Sequence, residues 1–150
     1  MESPDMKVLT YEDAQVGFEF PEFTFTITEG VMREYAEILG DTHPLFGDPE
    51  AAKQAGFAGI VAAPTFMNIY AHFIKMMSAA GWVRPSESFH SSSEFEFLAP
   101  VYPGDILTST MKVEDKFQRR QHKYMSFRIE TFNQRGDKVA TKVHTSVWVW

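Results

Sequence analysis

The sequence contains no cysteine. This absence excludes disulfide bonds, thiol nucleophiles and metal sites built from thiolates. Long hydrophobic runs are also missing, since no window approaches the roughly 18 consecutive apolar residues that a membrane-spanning helix needs. Residues 1–5 show neither the basic start nor the apolar stretch of a secretory signal. We therefore expect a cytoplasmic protein without a membrane span.

Positive charge is scarce in this chain. It has 14 Lys and Arg residues against 20 Asp and Glu residues, which gives a formal net charge of −6. Binding of nucleic acid needs a concentrated basic surface, so we do not expect nucleic acid as a partner. The remaining composition is that of an ordinary globular protein, with 44% hydrophobic and 23% charged residues. The length of 150 residues suits a single domain that covers residues 1–150.

Phenylalanine is abundant, with 14 copies that concentrate in segments with a strand-like pattern. Two explanations are open. The rings either line a large apolar ligand site or fill the space between a thin sheet and a helix. We favour the second explanation.

The first part of the chain predicts a strand and a helix. Residues up to about 17 have the pattern of an irregular arm, and residues 23–27 alternate Phe and Ile with Thr, as a half-buried strand does. Thr28 suits the N-cap of a helix, and Gly40 suits its end. The apolar residues at helical spacing between them are Val31, Tyr35, Ile38 and Leu39.

A short helix and a long helix are predicted next. Asp48 and Pro49 suit the cap and the first position of the short helix, which ends near Gly56. Residues 65–80 have the longest helical pattern and are apolar around much of the circumference, so we expect a buried helix that ends at Gly81. We interpret its methionines as core filler: Met67, Met76 and Met77.

The second half of the chain is predicted to be β-structure. Alternating segments cover residues 89–98, 106–117, 124–132 and 139–149, and residues 133–137 have the composition of a turn. One face of the last segment carries Val139, Thr141, Val143, Thr145, Val147 and Val149, and the other carries Lys142, His144, Ser146, Trp148 and Trp150. A buried helix followed by long antiparallel strands predicts an α+β domain in which the sheet wraps a long central helix.

The loop between the first two predicted helices carries a recognisable motif. Its residues are Asp41-Thr42-His43-Pro44-Leu45-Phe46-Gly47-Asp48. This stretch resembles the signature Asp-x-Asn-Pro-(aliphatic)-His-x-Asp of the MaoC-like (R)-specific enoyl-CoA hydratase and dehydratase family. The first acid, the proline, the aliphatic residue and the second acid coincide. The resemblance covers nearly the whole chain and implies the hotdog fold.

Two further segments resemble one branch of that family. Residues 56–66 read Gly-Phe-Ala-Gly-Ile-Val-Ala-Ala-Pro-Thr-Phe. They are similar to the Gly-Ile-Val-Ala-Pro-Pro-Thr-Phe stretch of the N-terminal MaoC-like, or FAS1-like dehydratase, domain. Residues 96–105 resemble the connection between two strands in the same branch. The resemblance to this branch is more specific than the resemblance of the loop motif.

Two positions depart from the catalytic members of the family. In those members an Asp and a His act on water and on the proton beside the thioester carbonyl, while backbone N–H groups at the start of the central helix polarise the thioester oxygen. Phe46 stands in the place of the catalytic His, and a phenyl ring transfers no proton. The family's His-Gly pair aligns with Ala63 and Pro64, and proline has no N–H to donate. The resemblance therefore implies that two catalytic functions are missing.

Asp41 and His43 are the candidate catalytic residues, and each has an alternative role. His43 stands at the family's Asn position and is either a displaced base or a hydrogen-bond partner of the loop backbone. Asp41 is either a catalytic acid or an acid that ties the loop. We favour the structural roles, because an imidazole offset by two residues would lie several Å from the reacting proton, whereas proton transfer needs about 2.6–3.2 Å.

The remaining candidates concern the substrate. The resemblance implies that Phe46, Pro64, Thr65 and Phe66 contact the acyl thioester. Residues 116–123 form the basic cluster of this acidic chain. Arg119 and Arg120 in that cluster either bind a CoA phosphate or an acidic carrier protein, or belong to a solvated hairpin tip.

No metal site is predicted. His72, His90 and His144 fall in separate predicted elements, and their spacing does not suggest ligands that converge on a metal. We expect no cofactor, with an acyl-CoA or acyl-carrier-protein thioester as the substrate.

The leading hypothesis is a non-catalytic subunit of a heteromeric enoyl-thioester hydratase or dehydratase. It would shape the acyl tunnel beside a catalytic MaoC-like hotdog partner, in a heterodimer or heterotetramer. One alternative is a self-sufficient hydratase, a homodimer or larger homo-oligomer, that uses Asp41 and His43. Another is a non-enzymatic hotdog protein that binds acyl-CoA. The acyl group, and the choice between CoA and carrier protein, stay open.

Overall fold

The computed structural model describes residues 6–149. Residues 1–5, Trp150 and the side chain of Val149 lie outside the described part, and so do the expectations for the N-terminal residues and for the facing of Val149 and Trp150.

The N-terminal arm is more ordered than its sequence predicts. It contains a two-residue strand, β1 (Lys7–Val8), and the side chains of Leu9 and Ala14 are fully buried. The indole Nε1 of Trp148 donates a hydrogen bond to the Leu9 carbonyl at 2.9 Å. The prediction of an irregular arm is wrong for Lys7 and Val8 and is confirmed for residues 9–17, which form neither helix nor strand but pack on the core.

The first strand and helix follow the sequence pattern closely. Strand β2 covers Glu19–Thr26, and helix α1 covers Glu29–Leu39. The Thr28 side chain accepts a hydrogen bond from the backbone of Val31, and Gly40 ends the helix in the left-handed conformation with φ 65°.

The inward face of α1 is narrower than the apolar pattern suggests. Met32 and Ala36 are buried, and Val31 and Tyr35 are half-buried. Ile38 is 75% exposed and Leu39 is exposed as well. The last turn of the helix thus carries its apolar side chains into solvent, beyond the part that packs on the core.

Two short helical turns and a short helix connect α1 to the central helical region. Pro44–Phe46 forms a 3-10 turn, and helix α2 covers Pro49–Gln54. The Asp48 side chain caps α2 by accepting hydrogen bonds from the backbone N–H groups of Glu50 and Ala51. A second 3-10 turn, Pro64–Phe66, leads into the central helices.

The central helix is broken, which corrects the prediction of one continuous helix over residues 65–80. Helix α3 covers Met67–Tyr70, and helix α4 covers Phe73–Ala79. Ala71 leaves the helical region with ψ 47°, and the His72 side chain accepts a hydrogen bond from the backbone N–H of Lys75, so that it caps α4. The buried positions are as expected, with Met67, Met76 and Met77 in the core.

Five strands form one antiparallel sheet around these helices. A short strand, β3 (Trp82–Val83), pairs in parallel with β1 outside this sheet. The remaining strands are β4 (Phe89–Phe97), β5 (Ile106–Arg119), β6 (His122–Phe132) and β7 (Lys138–Val149). The five strands of the sheet lie in the order β2-β5-β6-β7-β4. The β5–β6 hairpin is longer than predicted, because its turn consists of only Arg120 and Gln121.

The concave face of the sheet packs on α3 and α4. Phe73 of α4 contacts Phe127 and Trp148, with ring centroids 4.8 and 6.5 Å apart. Buried residues of β5 and β6 complete this core: Leu107, Met111, Val113, Met125 and Ile129. The sheet that wraps a helical core confirms the α+β hotdog prediction.

The side of the concave face formed by β7 and β4 differs from this apolar centre. On β7 the inward side chains of Lys142, His144 and Ser146 are buried although they are polar. On the edge strand β4, Phe95 is 40% exposed and Phe97 is 51% exposed. Both phenyl rings lie on the same face as Lys142, because Phe95 pairs with Lys142 and strand neighbours share a face.

Candidate functional site

The motif loop begins at the end of α1. Gly40 reverses the chain, and the Asp41 backbone N–H donates to the Ala36 carbonyl at 2.8 Å. The Asp41 carboxylate accepts a hydrogen bond from the backbone N–H of His43 at 3.1 Å. Asp41 therefore forms a local turn with its side chain, as Asp does in many loops.

The His43 side chain is also bonded to the loop. Its Nδ1 accepts a hydrogen bond from the backbone N–H of Leu45 at 3.3 Å, which leaves Nε2 to carry the proton of the neutral ring. The ring lies against Phe46, with centroids 5.2 Å apart. His43 and Asp41 thus each form a hydrogen bond with the loop backbone, as a structural role for these side chains requires.

Three segments that resemble the same family meet around this loop. The Val61 N–H donates to the Leu45 carbonyl at 3.0 Å, and the Ala62 N–H donates to the Val101 carbonyl at 2.9 Å. These bonds join the loop to residues 57–64 and to the connection after β4. The backbone bonds hold the three segments in one wall.

An apolar cavity of about 470 Å³ lies between these segments and the edge of the sheet. Phe46, Pro64 and His43 line it. Asp41 does not line it. The other lining residues are mainly small or apolar, among them Leu45, Phe57, Val61, Ala63, Phe97 and Leu98. Such a cavity suits an apolar chain.

The turn that leads into the central helices begins with a proline, which restricts its backbone conformation. Pro64 occupies the first position of the 3-10 turn and brings no N–H to the cavity. The Thr65 carbonyl accepts a hydrogen bond from the Tyr35 hydroxyl at 3.0 Å. Phe66 is buried in the core, where its ring contacts those of Tyr35 and Tyr70. Neither Thr65 nor Phe66 lines the cavity.

Arg119 and Arg120 lie elsewhere in the fold. Arg119 ends β5 and lines a polar groove on the other face of the sheet, beside Glu94 and Glu114. Arg120 is exposed in the hairpin turn with φ 55°. The structure therefore brings Phe46, Pro64 and His43 together and leaves both arginines away from that cavity.

Tyr70 is a cavity residue that the sequence pattern hid among the core positions of the central helix. It lies at the end of α3, is 3% exposed and lines the cavity. Burial raises the pKa of Tyr70 well above its ordinary value, so the ring keeps its proton. Tyr70 and His43 are the side chains that bring polar atoms to this apolar cavity.

A polar cluster near the cavity was not predicted either. Its members are His72, His90, Lys142 and His144, with Asn68 and Arg84 beside them. The histidines are distant in sequence, and the pairing of β4 with β7 brings the rings of His90 and His144 to 4.8 Å. Within residues 6–149, no three His, Cys, Asp or Glu side chains are arranged to hold a metal ion. Alternation along β7 was the available signal, since it places Lys142 and His144 on the same face as Trp148.

Comparison with known proteins gives a consistent picture. The family described as FAS1-like, dehydratase domain region matches residues 14–142. A UPF0336 protein from Streptomyces avermitilis is 30% identical over 144 residues, which cover 90% of this chain and 93% of that protein.

Solved structures share the fold at low identity. A monoamine oxidase regulatory protein from Archaeoglobus fulgius has a TM-score of 0.85 at 22% identity and covers 97% of both chains. A MaoC-like dehydratase from Rhodospirillum rubrum has a TM-score of 0.76 at 23% identity, over 95% of this chain and 98% of that one. A chain of the HadBC (3R-hydroxyacyl-ACP dehydratase) complex from Mycobacterium tuberculosis has a TM-score of 0.76 at 24% identity, over 87% and 95%. In the part of the chain described here, every helix is too short or too polar to cross a membrane.

Proposed function

Because the chain belongs to the FAS1-like dehydratase domain region family, we propose that it is a non-catalytic subunit of a heteromeric enoyl-thioester hydratase or dehydratase. It supplies a wall of the acyl site, and a catalytic MaoC-like hotdog partner supplies the groups that transfer protons. The observation that carries this proposal is Phe46, whose ring lines the apolar cavity at the motif position where catalytic members have a base.

The other polar groups of the loop support the same proposal. A catalytic acid and base must be free to meet the reacting atoms. The Asp41 carboxylate instead accepts from the His43 backbone, and the His43 imidazole accepts from the Leu45 backbone. Each side chain thus has a structural role, and no catalytic role is needed to explain its presence.

The thioester oxygen also lacks one donor on this side. Oxyanion stabilisation relies on N–H groups aimed at the developing charge. Pro64 stands at the position aligned with the family's glycine and has no N–H. A partner that brings both the base and this donor would complete the site.

The edge strand β4 offers a place for such a partner. Its outer edge is unpaired in the described sheet, and Phe95, Phe97 and Leu98 are exposed there. Exposed edges with apolar side chains tend to pair with another strand. The similar chain from Mycobacterium tuberculosis belongs to a dehydratase complex, which supports a second hotdog as the partner.

The decisive experiment uses the complex of this chain with a hotdog subunit of the same organism that has an intact Asp-x-Asn-Pro-x-His motif. Phe46→Trp should fill the cavity and lower kcat/KM for dodecenoyl-CoA at least about tenfold, because overpacking an apolar site excludes the longer chain. The kcat/KM for crotonyl-CoA should change little. Phe117→Trp, at the far hairpin, is the matched control and should leave both values unchanged.

If Phe46→Trp lowers kcat/KM for both substrates equally, or for neither, the cavity does not hold the acyl chain. If the partner is equally active without this chain on both substrates, the subunit proposal fails.

One observation favours a second candidate, a self-sufficient hydratase: the His43 ring lines the cavity. That candidate requires activity from the chain alone and its loss in His43→Ala with the fold intact. The subunit proposal requires that the chain alone shows no activity.

A further inference from the structure

The strongest unexplained feature of the molecule is the buried Lys142 on β7. Its side chain is 5% exposed, and its ammonium group donates a hydrogen bond to Oδ1 of Asn68 at 3.1 Å. Among residues 6–149, no carboxylate forms an ion pair with it. A buried cation without a counter-charge is costly, and the usual solution is an anion that pairs with it.

The surroundings of Lys142 are basic rather than acidic. The charges that act on His144 come from Lys142, His90, Arg84 and His72. Burial lowers the pKa of Lys142, and burial lowers the pKa of His144 to about 3. None of the groups named here carries a negative charge that could balance the Lys142 ammonium.

His144 provides a second, independent sign of a ligand site. It is 7% exposed, its ring stacks on Phe73 at 4.1 Å, and its Nε2 shares a hydrogen bond with the Ser146 hydroxyl at 3.0 Å. Its Nδ1 is buried and has no hydrogen-bond partner among the described residues. Buried polar atoms are nearly always paired, so this nitrogen is suited to bond a group that enters the pocket.

There is room for a ligand at this place. Two adjoining cavities of about 260 and 520 Å³ share Asn68, His90, Lys142 and His144 as lining residues. Phe95 lines the larger of the two, and Phe97 lines the acyl cavity. The two phenyl rings lie parallel with centroids 6.1 Å apart on the inner face of β4. The two phenyl rings on β4 therefore link the apolar cavity beside the motif loop to the cavities around Lys142.

We propose that the Lys142 pocket binds the carboxylate at the far end of an acyl group, so that the acyl thioester of this protein carries a terminal carboxyl group. The inference rests on the proposed function, because the thioester end must lie near the motif loop. The Lys142 ammonium, the Asn68 amide nitrogen and the His144 ring can donate to the two carboxylate oxygens. One buried ammonium balances one negative charge, which suits a carboxylate better than a phosphate monoester.

The test compares octanoyl-CoA with suberyl-CoA, its analogue with a terminal carboxylate, by calorimetry on the complex of the full chain with the catalytic hotdog subunit. The wild type should bind suberyl-CoA at least about tenfold more tightly than octanoyl-CoA, the gain expected from a charge-assisted hydrogen bond. Lys142→Met should remove this preference without weakening the binding of octanoyl-CoA. Lys112→Met removes an exposed lysine on β5, outside both cavities, and should keep the preference.

A second variant keeps the test independent of folding problems. Asn68 is exposed, so Asn68→Asp should fold and place a carboxylate beside Lys142. This internal counter-ion should raise the thermal stability and abolish the preference for suberyl-CoA.

The outcomes separate the two proposals. A wild type that binds octanoyl-CoA but does not prefer suberyl-CoA overturns the carboxylate site alone. A wild type that binds neither compound overturns the proposed function as well. If Lys142→Met leaves the preference intact, or weakens only the association with another chain, the counter-ion is not a ligand carboxylate and the inference is wrong.

Discussion

Asp41 and His43 each accept a backbone N–H within the loop that follows α1, and Asp48 accepts two from the first turn of α2. These bonds explain why acids and an imidazole occur there even though Phe46 replaces the expected base. Short polar side chains compete with regular structure for backbone donors, and loops use them for this purpose. At the scale of single residues, these polar side chains hold the shape of the loop.

Gly40 is the residue that lets this loop leave the helix. It has φ 65°, where a Cβ atom costs about 1–2 kcal/mol. Gly40→Ala should therefore destabilise the protein by about 1 kcal/mol in urea unfolding. Gly30→Ala is the matched control, because Gly30 lies in α1 and a Cβ there would meet nothing within 4 Å. That change should raise the stability by about 0.5–1 kcal/mol. Equal effects of the two variants would contradict the role of Gly40.

His144 should make the stability depend on pH. Burial lowers its pKa to about 3, whereas histidine in an unfolded chain titrates near 6.5. The unfolded state binds the proton first, so the contribution of neutral His144 is complete above about pH 6.5 and declines as the pH falls towards 3. Between about pH 7.5 and pH 5 the wild type should lose about 1–2 kcal/mol more than His144→Gln.

The measurement is urea unfolding of both proteins at the two pH values. An identical loss in wild type and variant would show that His144 is not buried as a neutral ring. The acidic groups of the chain are common to both proteins and cancel in this comparison.

At the scale of elements, most of the architecture was predictable from local patterns. Helix α1 and the four long strands follow from caps, turn residues and alternation, because these signals act within a few residues. The break between α3 and α4 was not predictable in this way. The apolar pattern continues through Ala71 and His72, and only the hydrogen bond from Lys75 to the His72 ring shows that a new helix begins.

That break leads to a prediction for His72. His72→Ala should lower the free energy of unfolding by about 1 kcal/mol, because the first turn of α4 loses its cap. His72→Asn keeps an acceptor at the cap and should be close to wild type. Thermal and urea unfolding of the three proteins measure this. If His72→Ala is as stable as His72→Asn, the side chain does not cap the helix.

The candidate site was predictable only in part, because local patterns do not show how the helices pack on the sheet. Phe46 and Pro64 stand in segments whose resemblance placed them at the acyl site, and both line the cavity. Tyr70 and Lys142 were missed, because their position depends on how the helices sit on the sheet. The polar face of β7 was visible in the alternation of residues 139–149, but nothing in the sequence says which face the helices cover.

At the scale of the whole molecule, the proposed function divides the features of a complete enzyme between two chains. The chain has an apolar cavity, a basic pocket beside it and an unpaired edge strand with exposed phenyl rings. Phe46 stands at the motif position of the family's His, and Pro64 brings no N–H to the start of the central helices. These properties belong together if a second hotdog chain completes the site.

Hydration of crotonyl-CoA by the purified chain alone tests this division most directly. If this chain is a non-catalytic subunit, the wild type should show no turnover above that of buffer, and Asp41→Ala and His43→Ala should give the same result. Turnover by the wild-type chain that Asp41→Ala or His43→Ala abolishes, with unchanged folding, would contradict it and place the proton-transferring groups in this loop.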